Sequence, residues 1–141
     1  MQLNPYLHFD GKCEEAFRFY EKSLGGKIVA MMSHRGSPME AQTPPEWLDK
    51  IMHARLVVGE TVLMGSDAPP QFFQRMQGFS VTLVIDTPAG AERVFNALAE
   101  GGEVRMAIQE TFWAQRFGML VDRFGTPWMI NCERPGAVRP T

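Results

Sequence analysis

The chain repeats itself. From Phe79 to Asp86 it reads FSVTLVID, followed by Thr87-Pro88, the stretch AGAERVFNALAE, Gly101-Gly102 and EVRMA. The beginning has the same layout: PYLHFD, Gly11-Lys12, CEEAFRFYEKSL, Gly25-Gly26 and KIVAMMS. An offset of 76 places Asp10 on Asp86, Phe9 on Ile85, Leu7 on Leu83, Phe19 on Phe95, and Gly25-Gly26 on Gly101-Gly102. A strand, a helix, a glycine stop and a strand are written twice. The period is too long for a solenoid unit, so it reads as a duplicated half-domain.

Each copy can be laid out from its patterning. Leu3 to Phe9 alternates as a strand, with Leu3, Leu7 and Phe9 on one face and Tyr6 and His8 on the other. Cys13, Ala16, Phe17, Tyr20 and Leu24 form one helical stripe, which Gly25 ends by accepting the left-handed conformation. Glu14 and Glu15 suit the positive end of its dipole. Lys27 to Ser33 is the next strand. His34 to Asp49 carries Gly36, Pro38, Pro44 and Pro45 and reads as a loop, with a helical turn at Glu46 to Lys50. Met52 to Val58 and Thr61 to Gly65 form a hairpin around Gly59-Glu60.

The second copy runs from Phe79 to Ile85, through a helix with Thr87 as N-cap and Pro88 at its first position, to Glu103 to Ile108. Ala91, Val94, Phe95 and Leu98 are that helix's buried stripe. Ala114 to Asp122 and Thr126 to Cys132 close the fold as a hairpin. The modules span 1–68 and 78–133, with a linker at 69–77 and a loosely ordered tail at 134–141, in a single domain. Two helices cannot cover both faces of eight strands. The reading is therefore α+β: two β-α-β-β-β modules making a curved mixed sheet with helices on the outer face.

Composition excludes several functions. The net charge is -2, with Lys and Arg scattered, so no nucleic-acid footprint is expected. No apolar run reaches the roughly 20 residues of a membrane helix, and no signal peptide opens the chain. A cytoplasmic protein with two buried or half-buried thiols, Cys13 and Cys132, is expected.

Three stretches carry a family resemblance: PYLHFDGKCEEAFRFYEKSLGG, PPEWLDKIMHARLVVGETVLMGSD and ETFWAQRFGMLVDRFGTPWMIN. They are similar to the PhnB-like branch of the glyoxalase, bleomycin resistance and dioxygenase (vicinal oxygen chelate) superfamily. The resemblance runs to about Asn131. It implies the fold and a homodimer with paired modules. PhnB-like proteins often carry an inherited label of demethylubiquinone methyltransferase. A methyltransferase using S-adenosylmethionine would show a Gly-rich turn after a first buried strand, and Gly25-Gly26 follows a helix instead.

The superfamily's metal-dependent members place a His or Glu on the first and last strand of each module. Carried over here, those positions fall on Asn4 and Ser80, on Met129, and on Leu63 through a separate offset of 66 between the hairpins. None is a hard-metal ligand, so no metal and no cofactor are expected. The same registration turns Ser80, Thr82 and Val84, and with them Asn4, Tyr6 and His8, toward an apolar trough, while Phe79, Val81, Leu83 and Ile85 face the helix. A small-molecule ligand is therefore expected, with Tyr6, His8, His53, Phe112, Trp113, Phe117 and Met129 as candidate contacts.

Two alternatives involve chemistry. One is a metal-dependent lyase, isomerase or dioxygenase using a rearranged set such as His8, His53 and Glu60. The other is acid–base catalysis by His53 or His8. Against these stand plainer roles: His34 solvated in its loop, Met64 in packing, Asp10, Asp86 and Asp67 as turn residues, and Arg55 exposed or salt-bridged, or else facing an acidic ligand.

Overall fold

The computed structural model describes residues 1–136; the part of the expected tail from 137 to 141 lies outside them. The chain forms two compact units, Met1–Arg75 and Met76–Thr141. Each holds one four-stranded mixed sheet and one helix, an α+β arrangement.

In the first unit the elements are β1 (Tyr6–Phe9), α1 (Cys13–Leu24), β2 (Lys27–Ser33), β3 (Ile51–Val58) and β4 (Thr61–Asp67). The sheet order is β1-β4-β3-β2, with β1 parallel to β4 and the other pairs antiparallel. In the second unit β5 (Val81–Val84), α2 (Pro88–Ala99), β6 (Glu103–Gln109), β7 (Ala114–Val121) and β8 (Pro127–Glu133) repeat the pattern as β5-β8-β7-β6. The first strand of each unit is shorter than its alternation suggested. Leu3 is 98% exposed and lies outside β1, and Phe79, expected beneath the helix, precedes β5 and is 48% exposed.

Each helix buries one apolar stripe. In α1 it is Cys13, Ala16, Phe17 and Tyr20, continued by Ser23 rather than Leu24; in α2 it is Ala91, Val94, Phe95 and Leu98. The stripes superpose at an offset of 78, so the partner of Phe95 is Phe17 and not Phe19. Two extra residues enter the second strand-to-helix connection, and the shift restores the helical phase. Gly25 ends α1 with φ 74° and returns its N–H to the Glu21 carbonyl, 3.1 Å.

The two helices are started differently. Thr87 caps α2 locally, its Oγ1 accepting from Gly90 N at 3.1 Å. Lys12 has no such oxygen, and the carboxylate comes from β4 instead. Asp67 Oδ1 accepts from Cys13 N at 2.9 Å while Oδ2 accepts from Ile51 N at 2.9 Å. Asp67, expected as a turn residue, is thus a buried tie between the start of α1 and β3, only 7% exposed. The equivalent place in β8 holds Cys132, because α2 caps itself.

Both phenyl rings rest on a glycine in the sheet below. A Cβ on Gly65 would meet Phe17 Cε1 at 2.8 Å, and one on Gly118 would meet Phe95 Cε2 at 2.6 Å and Ile108 Cα at 3.0 Å. We expect Gly118→Ala to cost about 1–3 kcal/mol in urea unfolding, since neither the buried ring nor the β6 backbone can withdraw freely. A loss below roughly 0.5 kcal/mol, the usual scale of an inert surface change, would show that the ring slides aside.

The loop after β2 contains two 3-10 turns, Glu40–Gln42 and Pro45–Trp47, where one turn at Glu46 to Lys50 was expected. Its base is closed by Arg35, which donates to Asp49 at 2.8 and 3.4 Å. His34, expected to be solvated, is half-buried, and its Nδ1 has no partner among the described residues.

Candidate functional site

One face of each sheet carries the helix, and the other face is the place to look for a ligand. Register identifies its residues, since directly opposed partners share a face. On the first sheet one row across the strands is Tyr6, Met64, Arg55 and Ala30. The neighbouring row pairs His8 with Ser66 and His53 with Met32. Leu7, Leu56 and Gly65 point the other way, under α1, which is why Leu7 and Leu56 are buried while Tyr6 is 38% exposed.

Three expected site residues of this unit meet there. The Tyr6 hydroxyl lies 3.2 Å from His53 Nδ1, and the two rings stack with centroids 5.8 Å apart at 26°. His8 tilts against Tyr6 as well, with centroids 5.2 Å apart. Tyr6 is thus in ring contact with two imidazoles. The hydroxyl and Nδ1 can each take either role in this contact, according to the His53 tautomer. Arg55 enters the same face half-buried; its Nη1 lies 3.9 Å from Met64 Sδ.

On the second sheet the corresponding rows are Thr82, Met129, Met119 and Met106, and Val84, Asn131, Phe117 and Gln109. Phe117 is 7% exposed and meets Trp113 edge to face at 5.4 Å; Trp113 in turn meets Phe112 at 4.8 Å. The remaining candidates, Phe112, Trp113, Phe117 and Met129, therefore belong to this unit, with Phe112 89% exposed at the outer end of the stack. Matching the rows puts Phe117 where the first unit has His53 and Met119 where it has Arg55. One face is cationic and imidazole-bearing, the other sulfur-rich and apolar.

Asn131 was not singled out by sequence reasoning. Its Oδ1 is buried without a hydrogen-bond partner among the described residues, which is costly for a polar atom in a sheet. The signal available in the sequence was a strand-disfavoured asparagine within the apolar run WMINC.

Register also corrects a position. Tyr6 pairs with Met64 as Thr82 pairs with Met129, so the partner of Met129 is Met64 and the hairpin offset is 65. Leu63 is 6% exposed on the helix side. The positions at which the superfamily places metal ligands thus hold Asn4, Met64, Ser80 and Met129, a donor set that does not fit a divalent ion. Nor can Glu60 join His53. It lies in the turn beyond the far end of β3, roughly 15 Å or more along the strand. Among the described residues no three His, Cys, Asp or Glu side chains form a group able to hold a metal.

Both cysteines are fully buried. Burial, with Asp67 and Glu14 adding repulsion, pushes the Cys13 thiol well above its ordinary range, the opposite of an activated nucleophile. The unfolded thiol ionises near pH 8.5 while the folded one stays neutral, so this contribution is intact below about pH 8.5 and is lost as pH rises above it. Unfolding titrations should show stability falling more steeply above that pH in the wild type than in Cys13→Ala, by up to about 1.4 kcal/mol per pH unit. Parallel slopes would mean that Cys13 ionises in place. Alanine suits the site, as Ala91 occupies it in α2.

Two clefts lie away from these faces. One of about 320 Å³ in the first unit is lined by His34, Thr43, Trp47 and Pro69 among others. One of about 220 Å³ in the second is lined by Asp86, Gln115 and Arg134 among others. No helix among the described residues is long and apolar enough to cross a membrane.

Two β-α-β-β-β units, each with its helix on one face of its sheet, define a protein of the glyoxalase and bleomycin resistance fold. The fosfomycin resistance protein FosX from Listeria monocytogenes shares that fold, with a TM-score of 0.66 at 7% identity over 96% of this chain and 94% of its own. Within this class the chain belongs to the PhnB-like family whose model is described as 3-demethylubiquinone-9 3-methyltransferase, matched over residues 1–131. Protein YjdN of Escherichia coli is 37% identical over 139 residues, covering 93% of this chain and 95% of its own. The crystal structure of PA1353 from Pseudomonas aeruginosa matches with a TM-score of 0.87 at 52% identity, covering 94% and 98%. A PhnB protein from Bacillus cereus matches with a TM-score of 0.77 at 24% identity, covering 94% and 99%. The methyltransferase in the family's description has no counterpart in the topology here. Both sheets are mixed, each with one parallel pair and two antiparallel ones, unlike the mostly parallel sheet of a nucleotide-binding α/β layout.

Proposed function

We propose that this protein binds a small planar molecule on the open face of the first sheet. The observation that carries the reading is the Tyr6 ring in contact with both His8 and His53, partly exposed on a face that no helix of its unit covers. Such a cluster offers a flat apolar surface with few, fixed polar groups, the usual make-up of a small-molecule site. The apolar face of Met129, Met119 and Phe117, with Trp113 and Phe112 beside Phe117, offers a second surface of similar kind in the other unit. The same reading has the protein act as a homodimer in the cytoplasm, and light scattering on purified protein measures that mass.

A ligand-observed NMR screen of small aromatic and heteroaromatic compounds tests the site. We expect hits whose affinity falls about tenfold in Tyr6→Ala and in His53→Ala, equivalent to about 1.4 kcal/mol. Hits indifferent to both substitutions, or no hits at all, would sink the reading.

A further inference from the structure

Arg55 differs from many arginines of the chain. Arg18, Arg35, Arg105, Arg116, Arg123 and Arg134 each lie within 4.0 Å of a carboxylate. Arg55 stands in the middle of β3, half-buried, and its recorded side-chain contact is the Met64 sulfur at 3.9 Å. The rows around it on this face hold Tyr6, His8, His53, Ser66, Met32 and Met64, none of them acidic. The next row outward adds a second cation, Lys27, opposite Val57. A guanidinium drawn partly out of water with no carboxylate partner among the described residues loses hydration and gains little from a thioether. Its planar fork matches a carboxylate in bidentate fashion, and the row places it beside the ring cluster.

Resting on the reading above, we propose that the ligand of this face is a planar carboxylate, its ring against Tyr6 and His53 and its anionic group on Arg55. The conjugate acid, amide or ester of the same molecule is then a poor ligand, because it leaves the guanidinium unpaired.

Titration calorimetry with 2-naphthoate and 2-naphthamide, two probes of one shape that differ in charge, tests this at low and moderate salt. We expect naphthoate to bind about tenfold tighter than naphthamide, equivalent to one decade in Kd. Added salt should shrink that ratio. Arg55→Met should abolish the preference, by weakening naphthoate and by relieving the penalty on naphthamide, and Arg55→Lys should retain part of it. Circular dichroism melts confirm that the variants fold. Equal binding of both probes, or a preference that survives Arg55→Met, overturns the carboxylate assignment while leaving the planar-ligand reading intact. Failure of both probes to bind, or binding indifferent to Tyr6→Ala, overturns the two together.

Discussion

Asp122→Ala should destabilise the second unit by about 3–5 kcal/mol, the scale of a broken buried polar network. Asp122 follows β7 and is 3% exposed. Its Oδ1 accepts from Phe124 N at 2.8 Å and Thr126 N at 3.1 Å, and its Oδ2 accepts from the Trp128 indole N–H at 2.8 Å. Trp128 is itself 1% exposed, so no water can replace the lost acceptor. One carboxylate thus closes the β7–β8 turn and satisfies the largest side chain in the core. Hydrogen bonds to a charged group contribute about 1.5–3 kcal/mol each and are not additive. Asp122→Asn should fall between wild type and alanine, because its amide nitrogen must confront a donor. Urea unfolding followed by tryptophan fluorescence measures both. A loss under about 1 kcal/mol for alanine, the central value for point mutants, would show that the turn finds other acceptors.

The second large effect is expected at Asp67. Asp67→Ala removes the acceptor for Cys13 N and for Ile51 N at once, and should cost about 2–4 kcal/mol, since each stranded buried donor costs about 1–3. The carboxylate also opposes the positive end of the α1 dipole. Native-state hydrogen exchange should show the first turn of α1 and the start of β3 opening together. If only one of the two loosens, Asp67 serves that element alone and the coupling is wrong. Asp67→Asn keeps one acceptor and should retain part of the stability. It should also ease the repulsion on the Cys13 thiol, although burial, the larger cause, stays.

These two aspartates mark where reading the chain stops. Asp122 follows the apolar strand β7 and Asp67 ends β4, and in one dimension both look like turn residues. Their roles depend on donors 54 and 16 residues away in one case and on an indole six residues ahead in the other. Periodicity is a local property, so the buried stripe of α2 and all of β2 were legible from it. The phase between the repeats was less so. A single offset of 76 suits β1 and β2, but the helices need 78, β3 needs 64 and β4 needs 65, because each connection has its own length.

The site divides in the same way. Alternation along β1 places Tyr6 and His8 on one face, because successive strand residues must point to opposite sides. That His53 reaches Tyr6 depends on β4 lying between β1 and β3, a pairing fixed by register across 47 residues. The unpartnered Oδ1 of Asn131 and the uncompensated guanidinium of Arg55 are likewise tertiary facts, since whether a polar group finds a partner depends on its neighbours in space. The sequence by itself determined the duplicated α+β architecture and the helix faces. The tertiary structure decided which side chains meet, because hydrogen bonds and charge pairing act over a few ångströms between residues far apart in the chain.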